Sequence, residues 1–325
     1  MTAEKPTKYE IIKDEDYFSK MKDITNKLLQ IRVCGYFDSF DDAKMYYEFF
    51  KVKNPKANIV IIHGYTEFTK KYYEMTWYFH SMGYNVFLYD IRCHGYSQRY
   101  SDDLEMTHID TYETYVKDLD IYINKIVVPN SDGAPVYMYA HSMGGAIAQL
   151  YLSKGKTNIK KAVLSAPMIY PCTPPLPRFV LKTLLKFAAK KVGWETRFKY
   201  SNEFNPEATL YGSHDSSYNR FRYNLEMRIA DKMYRNSYGS NRWTYEAISV
   251  VEKVLNKKAT NNVKSNLLIV IAGKDTAVCS KHQKKLAKML NCKYKFFENS
   301  KHSIYSADDK TLKEYVDIIM NFLDN

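Results

Sequence analysis

The most regular feature of the chain is a series of short apolar runs, each ending at a polar residue, a glycine or a proline, and most followed by a segment of helical length. Continuous apolar runs are typical of strands that are buried on both faces of a parallel sheet. Their alternation with helical segments predicts an α/β fold with a mostly parallel central sheet flanked by helices. The runs are NIVIIHG ending at Gly64, YNVFLYD ending at Asp90, APVYMYAHS ending at Ser142, KKAVLSAP ending at Pro167, SNLLIVIAGKD ending at Asp275 and YKFFENSKH ending at His302.

The chain before these runs has a different pattern. The stretches YFDSF and KMYYEFFKV are aromatic or alternating, which predicts two antiparallel strands ahead of the parallel ones. Residues 1–30 are polar and charged and have only weak helical periodicity. We therefore expect the antiparallel pair to form one end of the sheet.

The alternation of predicted strands and helices stops between residues 168 and 258. This segment has no Val/Ile-rich run, opens with PCTPPLPR and contains helix-like patches rich in Arg, Lys, Tyr and Met. We predict an α/β core formed by residues 1–167 and 259–325, with a helical cap (residues 168–258) inserted in it. The cap is expected over the carboxyl ends of the strands, where open α/β sheets bind their ligands.

The segment AHSMGG joins a predicted strand to a predicted helix at Ser142. A serine on so sharp a turn is held in a strained conformation, and small residues must lie two positions to either side of it. Ala140 and Gly144 occupy those positions, and Gly145 lets the helix pack close to the sheet. The pattern predicts a nucleophilic serine, although a serine that caps a helix beside two packing glycines would show the same letters.

A nucleophilic serine requires a base and an acid that orients the base. In a sheet of this kind they follow the nucleophile in the order acid, then histidine. Asp275 ends a late apolar run and His302 follows the next strand, so both are candidates. The alternatives are a helix-capping Asp275, an ordinary loop position for His302, and His282 as a rival base. Two acidic residues of the cap segment lie on the wrong side for the acid, Asp215 and Asp231.

Acyl transfer also requires N–H donors for the oxyanion that develops on the substrate. The N–H of Met143, directly after the serine, is one candidate, and the N–H of Tyr65 in the early loop IIHGYTEF is the other. His63 and Gly64 would shape that loop, and His141 is expected to support the turn from beneath. A glycine turn beside a core histidine is the simpler alternative.

Composition limits the possible classes of protein. The chain has 325 residues, 45% of them hydrophobic and 26% charged, which is typical of a globular protein. No run approaches the roughly 18 apolar residues of a membrane span, and the start of the chain has no apolar segment of a secretory signal. The five cysteines are scattered, so we expect free thiols, no zinc site and a cytoplasmic location.

The net charge of +12 is the least ordinary property of the composition. Such a charge favours anionic partners such as nucleic acids, membrane surfaces or acidic substrates. The charges are spread along the chain and no nucleic-acid motif is present, so we predict no nucleic-acid partner. A lysine-rich solvated surface is the simpler interpretation. The sequence leaves the oligomeric state undetermined.

The segments HGYTE, YDIRCHGYSQR, AHSMGG, AGKD and SKHSIY resemble, in this order, the signature segments of the α/β-hydrolase superfamily. The resemblance covers roughly residues 35–322. Within the superfamily, the chain most resembles the monoacylglycerol lipase and lysophospholipase branch, also grouped as serine aminopeptidase S33 hydrolases. Cys93 replaces the first glycine of the D-x-R-G-H-G-x-S motif of that branch, and alanine replaces the first glycine of G-H-S-M-G-G. The other residues of the D-x-R-G-H-G-x-S motif match: Asp90, Arg92, His94, Gly95 and Ser97.

The resemblance implies a role for each candidate residue. Ser142, Asp275 and His302 become a catalytic triad, and the N–H groups of Tyr65 and Met143 become the oxyanion hole. Members of this branch require no metal ion and no organic cofactor. The segment LYGSHDSSYNRFRYNLEMRIADKMYRNSYGSNRWTYEAI also resembles the cap of bacterial lysophospholipases, although more loosely.

These implications lead us to expect a serine hydrolase that cleaves the ester of a monoacylglycerol or lysophospholipid through an acyl-enzyme on Ser142. A general carboxylesterase or an aminopeptidase on the same fold stays open, because the cap contains several carboxylates that could hold an amino terminus. A non-catalytic member that binds a lipid or a protein is a further alternative. It would be expected to lack a triad residue, and none is missing.

One cap segment bears on the substrate. RFVLKTLLKFAAKKVGW predicts a basic amphipathic helix that either lies on an anionic membrane or covers the site entrance with its apolar face inward. Both arrangements suit an enzyme that draws a single-chain lipid from a bilayer, so peripheral membrane contact is part of the expectation. The predicted apolar face contains Val180, Leu181, Leu184, Leu185 and Ala188, and the charge comes from Lys182, Lys186, Lys190 and Lys191.

Overall fold

A computed structural model describes residues 9–155, 157–172 and 176–325, and the prolines of PCTPPLPR at 174 and 175 lie outside these ranges. Eight strands form one sheet, and two further strands of two residues each form a small separate pair. The predicted α/β fold is confirmed, because helices cover both faces of a mostly parallel sheet. The strands are β1 Arg32–Asp38, β2 Lys44–Phe50, β3 Asn58–Ile62, β4 Asn85–Tyr89, β5 Met106–Thr107, β6 Val136–His141, β7 Ile159–Ser165, β8 Tyr238–Gly239, β9 Asn266–Ala272 and β10 Lys293–Phe297.

Helices follow most of the parallel strands, and one precedes the sheet. The weak periodicity at the start of the chain corresponds to α1, whose buried residues recur every three or four positions. The helices are α1 Tyr17–Ile31, α2 Tyr73–Ser81, α3 Tyr112–Tyr122, α4 Met143–Leu152, α5 Arg178–Val192, α6 Tyr218–Ala230, α7 Asn241–Val254, α8 Lys257–Asn261, α9 Ser280–Leu290 and α10 Asp309–Asp324. Within the described ranges, none of them combines the length and the apolar character required to cross a membrane.

The order of strands in the main sheet is β1-β2-β4-β3-β6-β7-β9-β10. Strand β2 is antiparallel to both of its neighbours, and every other pairing is parallel. The predicted antiparallel pair therefore forms one end of the sheet. Because the remaining strands run the same way, the loops that follow them gather at a single edge.

The core consists of two hydrophobic layers, one on each face of the sheet. In β3, Val60 and Ile62 belong to one layer and Ile59 and Ile61 to the other. The first layer includes residues of α3, α4 and α7, and the second includes residues of α1, α2 and α10. A strand buried on both faces needs no alternation of polar and apolar residues, which explains its continuous apolar sequence.

The chain between β7 and β9 contains α5 to α8 and the short strand β8. Helix α5 contacts α7, and α6 contacts α1. Helix α7 packs on α3 and α4 and contributes Trp243, Ala247 and Val250 to the core. The division into a core and a cap at residues 168 and 258 stays a prediction, and α7 is the part of that segment most deeply built into the core.

Candidate active site

Three of the predicted site residues lie just after strands of the main sheet, at the edge formed by the carboxyl ends of the strands. Ser142 comes directly after β6, Asp275 lies three residues beyond β9, and His302 follows β10. Strands β6 and β9 both pair with β7, and β9 pairs with β10. The topology therefore brings together residues that are up to 160 positions apart in the sequence.

The backbone at Ser142 has the strained conformation expected of a sharp strand-to-helix turn. Its φ is 51° and its ψ is −116°, a region that a residue with a side chain rarely adopts. The two residues that follow Met143 are glycines because a side chain would not fit at either position. A Cβ on Gly144 would lie 2.2 Å from the carbonyl oxygen of Ile62, and one on Gly145 would lie 2.5 Å from Cβ of Pro167. Only glycine lets α4 approach the sheet this closely.

A continuous hydrogen-bonded chain joins the serine, the histidine and the aspartate. Nε2 of His302 lies 2.8 Å from Oγ of Ser142, and Nδ1 of His302 lies 2.7 Å from Oδ2 of Asp275. The other carboxylate oxygen, Oδ1, accepts the backbone N–H groups of Ala277 and Val278 at 2.8 and 2.9 Å. Because both oxygens are held, the aspartate fixes the imidazole with its second nitrogen directed at the serine.

The protonation states suit acyl transfer. Burial lowers the pKa of His302 below its usual 6.5, and Asp275 offsets only part of that effect, so the imidazole is neutral at pH 7. Burial alone would raise the pKa of Asp275, but its hydrogen bond with His302 holds the pKa below the usual value. The site therefore combines a neutral base with an ionised acid, as general-base catalysis requires.

The two predicted oxyanion donors are placed differently. Met143 is the first residue of α4, where a backbone N–H has no partner within the helix. Tyr65 lines the same cavity as Ser142, and its ring stacks on Trp243 with the centroids 3.9 Å apart. Among the described residues, neither N–H has a hydrogen-bond acceptor. Their role as an oxyanion hole remains a prediction.

Residues of the segment YDIRCHGYSQR form hydrogen bonds to the loop that carries Tyr65. Nε2 of His94 accepts the N–H of Thr66 at 3.3 Å, and Oδ1 of Asp90 accepts the N–H of Thr69 at 2.8 Å. Burial holds the pKa of His94 well below its usual range, so its ring is neutral and can accept. Cys93 has a φ of 62°, which explains why a glycine is usual at that position.

The buried Glu67 lines the same cavity as Ser142, although no sequence pattern pointed to it. Burial alone would raise its pKa, but Lys71 and His141 hold that pKa well below the usual range. Its only signal in the sequence is its place in HGYTE. Its partners come from its own segment and from two distant parts of the chain. The carboxylate contacts the N–H of Gly64 at 2.6 Å, Nζ of Lys71 at 2.9 Å, Nδ1 of His141 at 3.1 Å and the hydroxyls of Tyr72 and Tyr305.

A cavity of about 540 Å³ opens above Ser142 and His302. One wall comes from the segment before α6, where the ring of His214 packs on that of His302 with the centroids 5.4 Å apart. Backbone hydrogen bonds tie this segment to the loop of His302, since the carbonyl of His214 accepts the N–H of Ser303 at 3.1 Å. The carbonyl of Ser306 also accepts the N–H groups of residues 216 and 217.

The remaining candidates fall in different places. His282, the rival base, stacks on Tyr170 with ring centroids 4.7 Å apart and lines a separate groove. Asp231 caps a short turn and accepts the hydroxyl of Tyr96. Asp215 does line the cavity beside Ser142. Among the residues that the structure describes, no three metal-ligating side chains come together.

The fold and this arrangement define the class of the protein as a serine hydrolase of the α/β-hydrolase type. The sequence matches the family described as Serine aminopeptidase, S33 over residues 53–309, and the chain belongs to that family. It is similar to a probable lysophospholipase L2 of Haemophilus influenzae, with 26% identity over 82% of the chain and 83% of the relative. It is also similar to lysophospholipase L2 of Escherichia coli K12, with 28% identity over 67% of the chain and 64% of the relative.

Solved structures show the same fold. A soluble variant of monoglyceride lipase from Saccharomyces cerevisiae, in complex with a substrate analog, aligns with a TM-score of 0.72 at 23% identity. The alignment covers 90% of this chain and 94% of that one. A highly thermostable carboxyl esterase from Bacillus coagulans, in complex with glycerol, aligns with the same TM-score at 17% identity and covers 90% and 99% of the two chains.

Proposed function

We propose that this protein hydrolyses the carboxylic ester of single-chain lipids, either monoacylglycerols or lysophospholipids, through an acyl-enzyme on Ser142. The observation that carries the proposal is the hydrogen-bonded chain from Asp275 through His302 to Ser142 at the floor of a cavity. The names of the relatives, lysophospholipase L2 and monoglyceride lipase, support the lipid ester as substrate.

The proposed reaction has two steps. His302 takes the proton of the Ser142 hydroxyl as its oxygen attacks the ester carbonyl, and the N–H groups of Tyr65 and Met143 stabilise the oxyanion. The alcohol then leaves with the proton from His302, and the acyl group remains on the serine. A water molecule attacks this ester with His302 again as the base, which releases the fatty acid and restores the serine. Asp275 keeps the imidazole oriented throughout.

Helix α5 supports a substrate drawn from a membrane. Leu185 of the predicted apolar face is buried, whereas Leu184 and Ala188 are exposed. Two further apolar residues lie on the surface, Phe179 at 72% exposure and Phe187 at 66%. Exposed aromatic residues among lysines are typical of a helix that lies in the interface of an anionic bilayer. We therefore include peripheral membrane contact through α5 in the proposal.

The basic residues of α5 are also consistent with a helix that lies on an anionic bilayer. Three of its basic residues line an open groove of about 780 Å³ together with residues of α7 and α9. Anionic lipid head groups would lower the repulsion among these cations. The groove contains one carboxylate among the residues described, Glu252, against the basic residues Arg178, Lys182, Lys186 and Lys285.

The test compares 1-oleoylglycerol and oleoyl lysophosphatidylcholine as substrates for the wild type and Ser142→Ala, with Ser19→Ala at an exposed position of α1 as the matched control. We expect fatty acid release by the wild type and the control, and none by Ser142→Ala. A fluorophosphonate probe should label the wild type and the control only. Labelling of Ser142 without release from either lipid would overturn the lipid substrate, and absence of labelling in a folded protein would overturn the serine hydrolase.

An aminopeptidase is the second candidate, and one observation favours it. Among the carboxylates of the predicted cap, Asp215 lines the cavity that contains Ser142. A buried carboxylate beside the reacting serine fits an ammonium group. Release of p-nitroaniline from aminoacyl anilides by the wild type, lost in both Ser142→Ala and Asp215→Asn, would support this candidate. Activity on lipids alone would exclude it.

A further inference from the structure

Helix α6 presents a polar face to the catalytic cavity. Residues spaced at i, i+3, i+4 and i+7 lie on one side of a helix, and such a stripe is usually apolar when it packs inward. Two of the four residues on this stripe of α6 are polar, and all four line the cavity above Ser142. The stripe consists of Phe221, Asn224, Leu225 and Arg228.

Asp215, just before α6, contributes a carboxylate without a partner. The residue is only 6% exposed. Within the described part of the chain its carboxylate has no hydrogen-bond donor and no ion pair, and its Oδ1 is fully buried and unpaired. Oδ1 of Asn224, on the facing stripe, is likewise buried and unpaired. Buried acceptors in this state are destabilising unless a ligand supplies the missing donors.

Arg228 contributes a cation whose hydrogen bonds all go to neutral groups. Its guanidinium donates to the carbonyls of Tyr234 and Asn236 and to the hydroxyl of Ser237, and it lies over the ring of Phe204 at 4.7 Å. No carboxylate among the described residues pairs with it. Burial lowers its pKa to about 10, with Glu105 and Asp215 opposing that effect, so it stays charged at pH 7.

The position of Asp215 relative to His302 identifies the part of the substrate that it would meet. His302 donates the proton to the departing alcohol, so the leaving group must lie beside its ring. His214 packs on that ring, and its neighbour Asp215 therefore belongs to the leaving-group side of the cavity. For a lysophospholipid, the leaving group is the glycerol together with the phosphorylated head group.

Two opposite charges that line one cavity without pairing with each other fit a ligand that carries both. We propose that Arg228 binds the phosphate and Asp215 the ammonium of a zwitterionic lysophospholipid head group, with Asn224 as an additional acceptor. Monoacylglycerol offers only hydroxyls, and a phosphate without an ammonium would be repelled by Asp215. This inference rests on the proposed lipid hydrolase function and selects lysophospholipid as its preferred substrate class.

The test uses three lipids that share one oleoyl chain: 1-oleoylglycerol, oleoyl lysophosphatidylethanolamine and oleoyl lysophosphatidate. Each is presented at the same mole fraction in neutral detergent micelles to the wild type, Arg228→Gln and Asp215→Asn. The matched controls are Arg222→Gln and Glu226→Gln, which remove the same charges from the outer side of α6, where these two residues pair with each other.

Arg228→Gln should lower kcat/KM at least about tenfold for both phospholipids and change it less than about twofold for 1-oleoylglycerol, because a charge-assisted hydrogen bond is lost. Asp215→Asn should lower kcat/KM by a similar factor for the ethanolamine lipid and raise it for the phosphatidate. The controls should change none of the ratios. Equal losses on all three lipids would overturn the head-group assignment while leaving the lipid hydrolase intact, whereas a wild type inactive on all three would refute the proposed function itself.

Discussion

Nδ1 of His141 lies 3.1 Å from Oε2 of Glu67, and the same carboxylate oxygen accepts the N–H of Gly64 at 2.6 Å. The residue directly before the serine and the loop that carries Tyr65 therefore share one anchor. Nε2 of His141 also lies 3.5 Å from the carbonyl oxygen of His302. A single buried carboxylate thus links the three segments whose relative positions set the geometry of the reaction.

Replacement of this anchor should reduce turnover more than binding. We expect Glu67→Gln to lower kcat by about tenfold to a hundredfold with little change in KM, because a neutral amide weakens several charge-assisted hydrogen bonds. Steady-state kinetics and thermal unfolding test this prediction, with Glu226→Gln at an exposed position of α6 as the control. A folded variant with unchanged kcat would contradict the positioning role.

The buried base predicts a particular pH profile. Because burial places the pKa of His302 below 6.5, kcat/KM should rise with pH and reach half its plateau below pH 6.5. The rise reflects loss of a proton from the imidazole, since only the neutral form can accept the proton of Ser142. Rates measured between pH 4 and pH 9 with a neutral ester substrate test this. A midpoint above 6.5 would be inconsistent with the assigned base.

Removal of the orienting carboxylate should change both the rate and the profile. Asp275→Asn should lower kcat by roughly 10⁴-fold, the effect of the same change in a serine protease triad. The remaining activity should reach half its plateau at a lower pH than in the wild type, because the carboxylate raises the pKa of His302. Asp231→Asn, between α6 and β8, is the matched control and should retain the wild-type profile. Wild-type kcat in Asp275→Asn would refute the triad.

A methyl group at Gly144 tests the close packing at the nucleophile turn. Gly144→Ala would place Cβ 2.2 Å from the carbonyl oxygen of Ile62, which is backbone and cannot rotate away. We expect destabilisation at or above the upper end of the roughly 1–3 kcal/mol that overpacking costs. Urea unfolding measures it, and Gly212→Ala, where Cβ would have no neighbour within 4 Å, is the control. Equal midpoints for the two variants would disprove this account.

Membrane contact through α5 can be tested with its exposed aromatic residues. Phe179→Ser together with Phe187→Ser should abolish flotation with anionic vesicles at low salt, because each phenylalanine contributes about 1.5–3 kcal/mol when it is buried in lipid. Tyr294→Ser, which removes a ring that is 52% exposed on β10, is the control. The wild type, the double variant and Tyr294→Ser should all hydrolyse a water-soluble ester at the same rate. Flotation of the double variant like the wild type would exclude this helix as the contact.

Local patterns in the sequence were sufficient for the strands of the main sheet and for the meeting of Ser142, His302 and Asp275, but not for the two-residue strands β5 and β8. The reason is topological: parallel strands deliver their following loops to one edge, so residues after three strands can be expected to meet. The strained turn was also predictable, because the crowded contact at Gly144 leaves a mark in the sequence as a glycine.

Features that depend on contacts between distant elements could not be predicted in the same way. Glu67 has the same local signal as any loop glutamate, and its partner Tyr305 lies 238 positions away. The periodicity of α5 indicated an apolar face but not which residues it would bury, and the structure buries Leu185 while leaving Leu184 exposed. Two of the charged residues that line the cavity, Asp215 and Arg228, likewise could be placed there only once the position of α6 was known.

The hydrogen bonds between residues 214–217 and the loop of His302 have a consequence for how such enzymes can diversify. A chimera that exchanges residues 168–258 as one block would also remove the backbone partners of Ser303 and Ser306. New substrate ranges would therefore be gained most readily by changing side chains such as Asp215 and Arg228, while the backbone of residues 214–217 is kept with the catalytic base. The stretch that could be exchanged without disturbing the catalytic base is then smaller than the whole chain between β7 and β9.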